Sequence, residues 1–320
     1  MHIQKRSDKD EKGPFPRIPV MNPRRRRAAA LLLALLAGCQ TAPPPPPAPQ
    51  PLPPPPAPKP PPKPPLIGLA LGGGAARGFA HIGVIQVLEE AGIRPDLVIG
   101  TSAGSLVAAL YASGKNGAEL AALAQAMDGG AITDWSFPGR GLIRGEALAR
   151  FVREHTGGKR IEQMKLPLGI VATDLDSGQG IVFRVGDTGV AVRASSAVPA
   201  VFQPVRIGTR EYVDGGLVAP VPVRYARQMG AQLVIAVDIS EAPDGAATGD
   251  AMRMLLQTFS IMGRSINQFE LAQADIVIRP KLAGVSGTDF STRTRSIQAG
   301  RDVATAMLGE LRLRILDDTQ

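Results

Sequence analysis

The stretch Leu97-Val98-Ile99-Gly100-Thr101-Ser102-Ala103-Gly104 changes character at its midpoint. Leu97 to Gly100 is a short apolar run of the kind a buried parallel strand needs, and Ala103 to Ser113 reads as a helix. Between them, Gly100-Thr101-Ser102-Ala103-Gly104 fits G-x-S-x-G, a strand-to-helix turn tight enough to lift a serine hydroxyl above the sheet. Its glycines permit a backbone approach that a Cβ would obstruct, and the helix N-terminus favours negative charge developing nearby. Ser102 is therefore a candidate nucleophile. On these five residues alone a second reading stands beside it, in which Ser102 merely caps the helix.

The same alternation extends in both directions. Upstream, Leu66 to Leu71 is another buried-strand run ending in three glycines, and Gly78 to Ala91 reads as a helix with Val84, Val87 and Leu88 on one face. Downstream, strands are expected at Leu168 to Thr173, Ile181 to Val185, Leu233 to Asp238 and Ile276 to Ile278. Helices are expected at Gly145 to His155, Val221 to Met229, Ala251 to Ala272 and Ser296 to Ile315. Strands alternating with helices predict an α/β domain with a largely parallel central sheet flanked by helices, and place active-site loops at the carboxyl ends of its strands.

Directly after the first strand comes Gly72-Gly73-Gly74-Ala75-Ala76-Arg77-Gly78. Consecutive glycines can turn backbone N–H groups toward one point, so Gly72, Gly73 and Gly74 are candidates for holding an oxyanion. As a dinucleotide fingerprint the segment fails, because Arg77 stands where the last Gly of G-x-G-x-x-G belongs, and it lacks the Lys-Ser/Thr ending of a P-loop. A nucleotide phosphate and a plain turn remain competing uses of the loop. Arg77 is a candidate contact for a lipid head group or, alternatively, a solvated side chain.

A serine nucleophile needs a base. Beyond the N-terminal segment the chain offers two histidines, His81 and His155, both in predicted helices and better suited to structural or exposed positions. A carboxylate is then expected, and Asp214-Gly215-Gly216 supplies one, because Tyr212-Val213 resembles a strand end and two glycines let the backbone turn away. In isolation Asp-Gly is also an ordinary turn.

Taken together, Gly72 to Gly78, Gly100 to Gly104, the segment Ala194-Ser195-Ser196-Ala197-Val198-Pro199-Ala200-Val201-Phe202, and Asp214 to Gly216 resemble, in order and approximate spacing, the patatin-like phospholipases. The resemblance spans roughly Leu66 to Asp238. It implies a patatin-like three-layer sandwich and a Ser-Asp dyad without histidine, in which Ser102 attacks and Asp214 is the base. It further implies an oxyanion hole from Gly72, Gly73 and Gly74, and hydrolysis of acyl esters in phospholipids or other lipids. No metal or organic cofactor is implied. A catalytically silent lipid- or partner-binding protein is the alternative. Trp135 and Phe137, ahead of Pro138-Gly139-Arg140-Gly141, fit either an acyl-chain wall or buried packing.

The totals of charge and proline come from the N-terminal segment. The chain has 320 residues and a formal charge of +8. Before residue 39 there are nine Lys/Arg against three Asp/Glu, so the rest is close to neutral. With aromatics at 4%, nucleic acid is excluded as an expected partner. Arg24 to Arg27, the apolar Ala28 to Ala37 and then Gly38-Cys39 form the charged, hydrophobic and cleavage regions of a secretory signal. Leu36-Ala37-Gly38-Cys39 resembles a bacterial lipobox, which implies lipidation of Cys39, a membrane anchor, and location at the outer membrane facing the periplasm. The single Cys leaves no intramolecular disulfide and no cysteine-based metal site. Translation is expected to start at Met21.

Seventeen of the 30 prolines fall between Pro43 and Pro65, a segment expected to be an extended polyproline rod of roughly 80 Å rather than a packed element. Its PxxP repeats also fit docking to an aromatic groove. Three regions follow: 1–38 as extension and signal, 39–65 as lipidated Cys and tether, and 66–320 as one acyl hydrolase domain.

Overall fold

The computed structural model of the chain describes residues 64–127, 134, 140–240, 249–285 and 290–319. The chain divides into two units, 1–59 and 60–320, and all described residues lie in the second. Cys39, the signal, the tether up to residue 63, and Trp135 and Phe137 lie outside the described residues.

The predicted alternation is present. Strand β1 (Ile67–Leu71) leads through a short 3-10 turn at Ala75–Gly78 into α1 (Phe79–Glu90), and β2 (Leu97–Thr101) leads through Ser102 into α2 (Ala103–Ala112). After α3 (Gly117–Ala126), β3 (Gly141–Ile143) and α4 (Glu146–His155) come β4 (Leu168–Asp174) and β5 (Gly180–Phe183). Next are α5 (Thr188–Ser195), β6 (Ala200–Phe202), β7 (Val205–Ile207) and β8 (Arg210–Asp214). The chain closes with α6 (Val223–Gln228), β9 (Leu233–Val237), α7 (Ala251–Leu271), β10 (Ile276–Ile278), α8 (Arg293–Ala306) and α9 (Leu308–Asp317). The single helix expected over Ser296 to Ile315 is two, divided at Met307, and Leu311 on the second is fully buried.

The main sheet runs β10-β9-β1-β2-β4-β8-β7, with β5 also on β4. Its first five strands are parallel, whereas β5, β8 and β7 are antiparallel to their neighbours. Alternate residues of each buried strand feed opposite faces, as the two-residue period requires. Leu69 and Leu71 of β1, with Leu233, Ile235 and Val237 of β9, pack under α1, α2 and α8. Ala70, Val234 and Ala236 face α6 and the end of α7. Helices on both faces of one sheet make three layers. Strands buried on both faces are apolar at every position, which is why Leu97 to Gly100 and Leu233 to Val237 show no polar alternation.

One register decides what meets at the sheet's carboxyl edge. On β4, residues Ile170 to Thr173 pair on one side with β5. The other side is shared end to end. It pairs with β2 as far as Val171↔Thr101, and from Ala172↔Asp214 onward with β8. Parallel β2 and antiparallel β8 therefore run toward each other along β4, and their last residues, Thr101 and Asp214, lie opposite consecutive residues of the same strand.

Candidate active site

Ser102 follows β2 with φ 53° and ψ −124°, a left-handed conformation rare for a residue with a Cβ. Such a residue stores roughly 1–3 kcal/mol and persists where its surroundings fix it. The two glycines of the motif explain how. A Cβ on Gly100 would lie 2.3 Å from the Gly104 carbonyl oxygen, and one on Gly104 would lie 2.1 Å from that of Leu71. The turn is thus folded back onto β1 more closely than alanine permits.

Side chains clamp it from below. Buried Thr101 donates its hydroxyl to the Ala219 carbonyl at 2.9 Å. Fully buried Ser195, at the end of α5, accepts from the Ser102 N–H at 2.9 Å and donates to Val171 O at 2.5 Å. Ser195 lies within the segment Ala194 to Phe202 singled out in the sequence, but its hold on the Ser102 amide was not foreseen. A buried serine nineteen positions before a strand-turn Asp carries no distinguishing pattern.

Asp214 is 6% exposed. Its N–H donates to Ala197 O at 3.0 Å, and its carbonyl accepts from the Thr173 hydroxyl at 2.8 Å. Oδ1 accepts from the Gly216 N–H at 2.7 Å. Burial pushes the carboxyl up from 3.8 to about 6, against the opposing effects of the Gly216 amide and the Ser102 hydroxyl. Buried Oδ2 meets no donor in full hydrogen-bond geometry. The Ser102 hydroxyl is near enough to favour the charged carboxylate without closing a bond to it, the open contact that unliganded hydrolases commonly show before substrate tightens it.

The glycine loop lies beside the serine: a Cβ on Gly73 would be 3.2 Å from Ser102 Cβ. Its amides divide into two groups. Gly72 N–H donates to Val237 O at 3.0 Å and Gly73 N–H to Pro220 O at 2.9 Å, so both are committed to the framework and unavailable to an oxyanion. Among the described residues the N–H groups of Gly74 and Ala75 make no hydrogen bond, and they continue the same turn. Of the expected donors Gly72, Gly73 and Gly74, only Gly74 keeps an open amide among the described residues, and Ala75 beside it keeps one too. The ladder to β9, running past Leu71, claims the Gly72 amide, and the loop at Pro220 claims that of Gly73.

Arg77 does not point to a ligand either. It is 8% exposed, and its Nε donates to Ile239 O at 3.1 Å, tying the glycine loop to the segment after β9. That placement corrects the expectation of a head-group contact. His81 is fully buried, holds the Gly72 carbonyl at 2.8 Å through Nε2, and is depressed to about 4 by burial. A carbonyl only accepts, so Nε2 carries the proton and the ring is neutral. His155 packs on Phe151 with ring centroids 4.3 Å apart. The two histidines are thus structural in placement, as expected.

Residues 69–227 match the family model described as patatin-like phospholipase. The chain carries a patatin-like phospholipase domain. The match takes in the glycine loop, Ser102 and Asp214. An uncharacterised NTE family protein of Mycobacterium tuberculosis is 36% identical over 204 residues, 63% of this chain and 56% of that protein. Patatin-like phospholipase domain-containing protein 6 of Mus musculus is 34% identical over 196 residues, 58% of this chain and 14% of that one. The chain thus spans about half or less of the length of these relatives. VipD from Legionella pneumophila shares the fold of the patatin-like domain, with a TM-score of 0.54 and 16% identity, over 78% of this chain and 68% of that one.

Proposed function

We propose that the patatin-like domain is a serine lipid acyl hydrolase working through a Ser102–Asp214 dyad. The observation that carries the reading is the register on β4, which sets the ends of β2 and β8 at consecutive positions and so brings a strained serine against a buried carboxylate. Asp214 takes the Ser102 proton as Oγ attacks the ester carbonyl carbon, and the carbonyl electron pair moves onto oxygen. The Gly74 and Ala75 amides, open and adjacent, stabilise that oxyanion. Collapse expels the alcohol with the proton from Asp214 and leaves an acyl-Ser102. Water, deprotonated by Asp214, then attacks the acyl carbon, and as the C–Oγ bond breaks Asp214 returns the proton to Ser102 Oγ and the fatty acid leaves. The same intermediate serves transfer to another alcohol.

A fluorophosphonate probe tests the nucleophile, read alongside fatty-acid release from phospholipid. Both are expected in the unaltered chain and absent in Ser102→Ala, whereas Asp214→Asn slows both severely. Labelling that persists in Ser102→Ala removes Ser102. A folded chain with neither labelling nor release is instead a silent lipid-binding protein.

The lipobox-like Leu36 to Cys39 further supports a lipid anchor at the bacterial outer membrane, facing the periplasm. Incorporation of a fatty-acid analogue that is lost in Cys39→Ser is the expected result. Equal incorporation in that variant overturns the anchor.

A further inference from the structure

With Arg77 turned inward, no cation has yet been assigned to a substrate head group, and the carboxyl edge of the sheet carries a second site that has been given no role. Beyond β9 and β10, on the same edge as the glycine loop, a half-open cleft of about 560 Å³ is lined by Asp238, Ser240, Arg264, Asn267, Gln268 and Arg279. Asp238 and Arg279 directly follow the two strands, and the other long side chains come from α7.

The decisive atom is Asn267 Nδ2. Asn267 is 3% exposed, and its Oδ1 accepts from the Val221 N–H at 3.1 Å, which fixes the amide and leaves the NH₂ as the other end. Among the described residues Nδ2 is buried and unpartnered, a donor left without an acceptor. Its surroundings are cationic. Arg279 Nε meets Asp238 at 3.1 Å, leaving its two terminal nitrogens uncommitted by that bond, and Asp238 Oδ1 is taken by the Ser240 N–H at 3.0 Å. Arg264 makes no ion pair among the described residues. Two guanidiniums against one carboxylate leave net positive charge facing an unsatisfied N–H. The ligand this selects is an oxyanion with several acceptor oxygens.

Strand spacing of about 4.8 Å puts the end of β9 two steps, or about 10 Å, from that of β2, where Ser102 sits. Arg279, after β10, is one step further, so spanning the gap takes a glycerol unit and the length of an arginine side chain together. The supporting helix also leads toward lipid: α7 leaves Met254, Ile261, Met262 and Phe269 at least half exposed. It touches the active-site framework as well, since Gly263 lies against Pro220, whose carbonyl holds Gly73 N–H.

We propose that this cleft binds the phosphate of a phospholipid head group while the ester lies at Ser102. The proposal rests on the hydrolase reading for its substrate but has a separate binding readout. Thermal unfolding is followed with sn-glycerol 3-phosphate, inorganic phosphate or glycerol, and sedimentation with phosphatidylglycerol or diacylglycerol vesicles. Glycerol 3-phosphate is expected to raise Tm, with affinity falling about tenfold in Arg264→Gln and partly restored in Arg264→Lys. The ratio of kcat/KM for phosphatidylglycerol over diacylglycerol of equal chains is expected to fall about tenfold in Arg264→Gln. Glycerol 3-phosphate binding without any ester hydrolysis sinks the hydrolase reading and leaves the phosphate site supported. Equal binding in Arg264→Gln, or a selectivity ratio that does not move, overturns the proposal. So does binding of inorganic phosphate with none of glycerol 3-phosphate or phosphatidylglycerol vesicles.

Discussion

Replacing Asp214 by Asn is expected to stabilise the fold at neutral and alkaline pH while stopping the reaction. Burial raises this carboxyl from 3.8 to about 6, a shift of about two units, each worth about 1.36 kcal/mol. A folded-state pKa above the unfolded one gives stability that is complete below pH 3.8 and lost as pH rises through about 6. At pH 8 the native state therefore carries a cost of about 3 kcal/mol for holding the charge out of water, and at pH 4 less than about 1 kcal/mol. Asn carries no charge at either pH, and its Oδ1 still accepts from Gly216 N–H. The stability difference between variant and unaltered chain should thus shift by roughly 2 kcal/mol in favour of Asn between pH 4 and pH 8.

Denaturant or thermal unfolding at the two pH values measures this directly. For a domain of this size about 3 kcal/mol corresponds to roughly 6–12 °C in Tm at pH 8. Any constant penalty of the amide cancels, because the diagnostic is the change with pH. A pH-independent difference, or one growing in the opposite direction, would show that Asp214 is not a desolvated carboxylate. The dyad would then lose its physical basis. The paired loss of turnover in a stabilised variant is what a site strained for function predicts.

Three further outcomes follow from the same geometry. The kcat/KM for a non-ionising ester should rise with pH through about 6 and then level, because the base works only when ionised; a midpoint near 4, or a bell centred below 6, contradicts the assignment. Ser195→Ala should lower kcat about tenfold with little change in KM, and lower stability by about 1–3 kcal/mol, because both the Ser102 N–H and the Val171 carbonyl lose a partner. Unchanged kcat with lower stability alone would make that serine purely structural. His81→Leu should destabilise by about 1–3 kcal/mol through the orphaned Gly72 carbonyl yet leave the midpoint of the pH profile in place. Loss of activity as complete as in Ser102→Ala would implicate the histidine in proton transfer.

Much of this fold is written locally. Buried strands are runs such as Leu233 to Val237, and α2 begins where the Gly100 to Gly104 motif requires it. Two further helices carry local start signals: α3 begins at an Asn116 cap reciprocated by Glu119, and α5 at an Asp187 cap. Strands β3, β6 and β7 are three residues each, too short for a period to show. The candidate site was legible in its residues, Ser102 and Asp214, but not in its directions. Which way Arg77 turns, and which glycine amides the sheet consumes, depend on Ile239, Val237 and Pro220, all more than 140 positions away. Such pairings are fixed by strand order, which no local pattern encodes.

In the proposed dyad, the strand order also accounts for a carboxylate in the place of a histidine. A free aspartate is too weak a base to draw a proton from serine efficiently, and a deeply buried one would stay protonated at neutral pH. Asp214 lies between these limits. Burial between β4 and the Gly215–Leu217 turn raises its basicity, and the Gly216 amide prevents the rise from going further. At about 6, roughly nine-tenths of the carboxyl is ionised at pH 7, while its affinity for a proton exceeds that of a free aspartate about 100-fold. The sheet offsets the cost through bonds that do not change during turnover: Ala197 and Thr173 hold the Asp214 backbone, and Ser195 and Ala219 hold the turn at Thr101 and Ser102. Because those bonds come from three separate segments, the strained serine and the desolvated acid can be retained together only in the assembled fold.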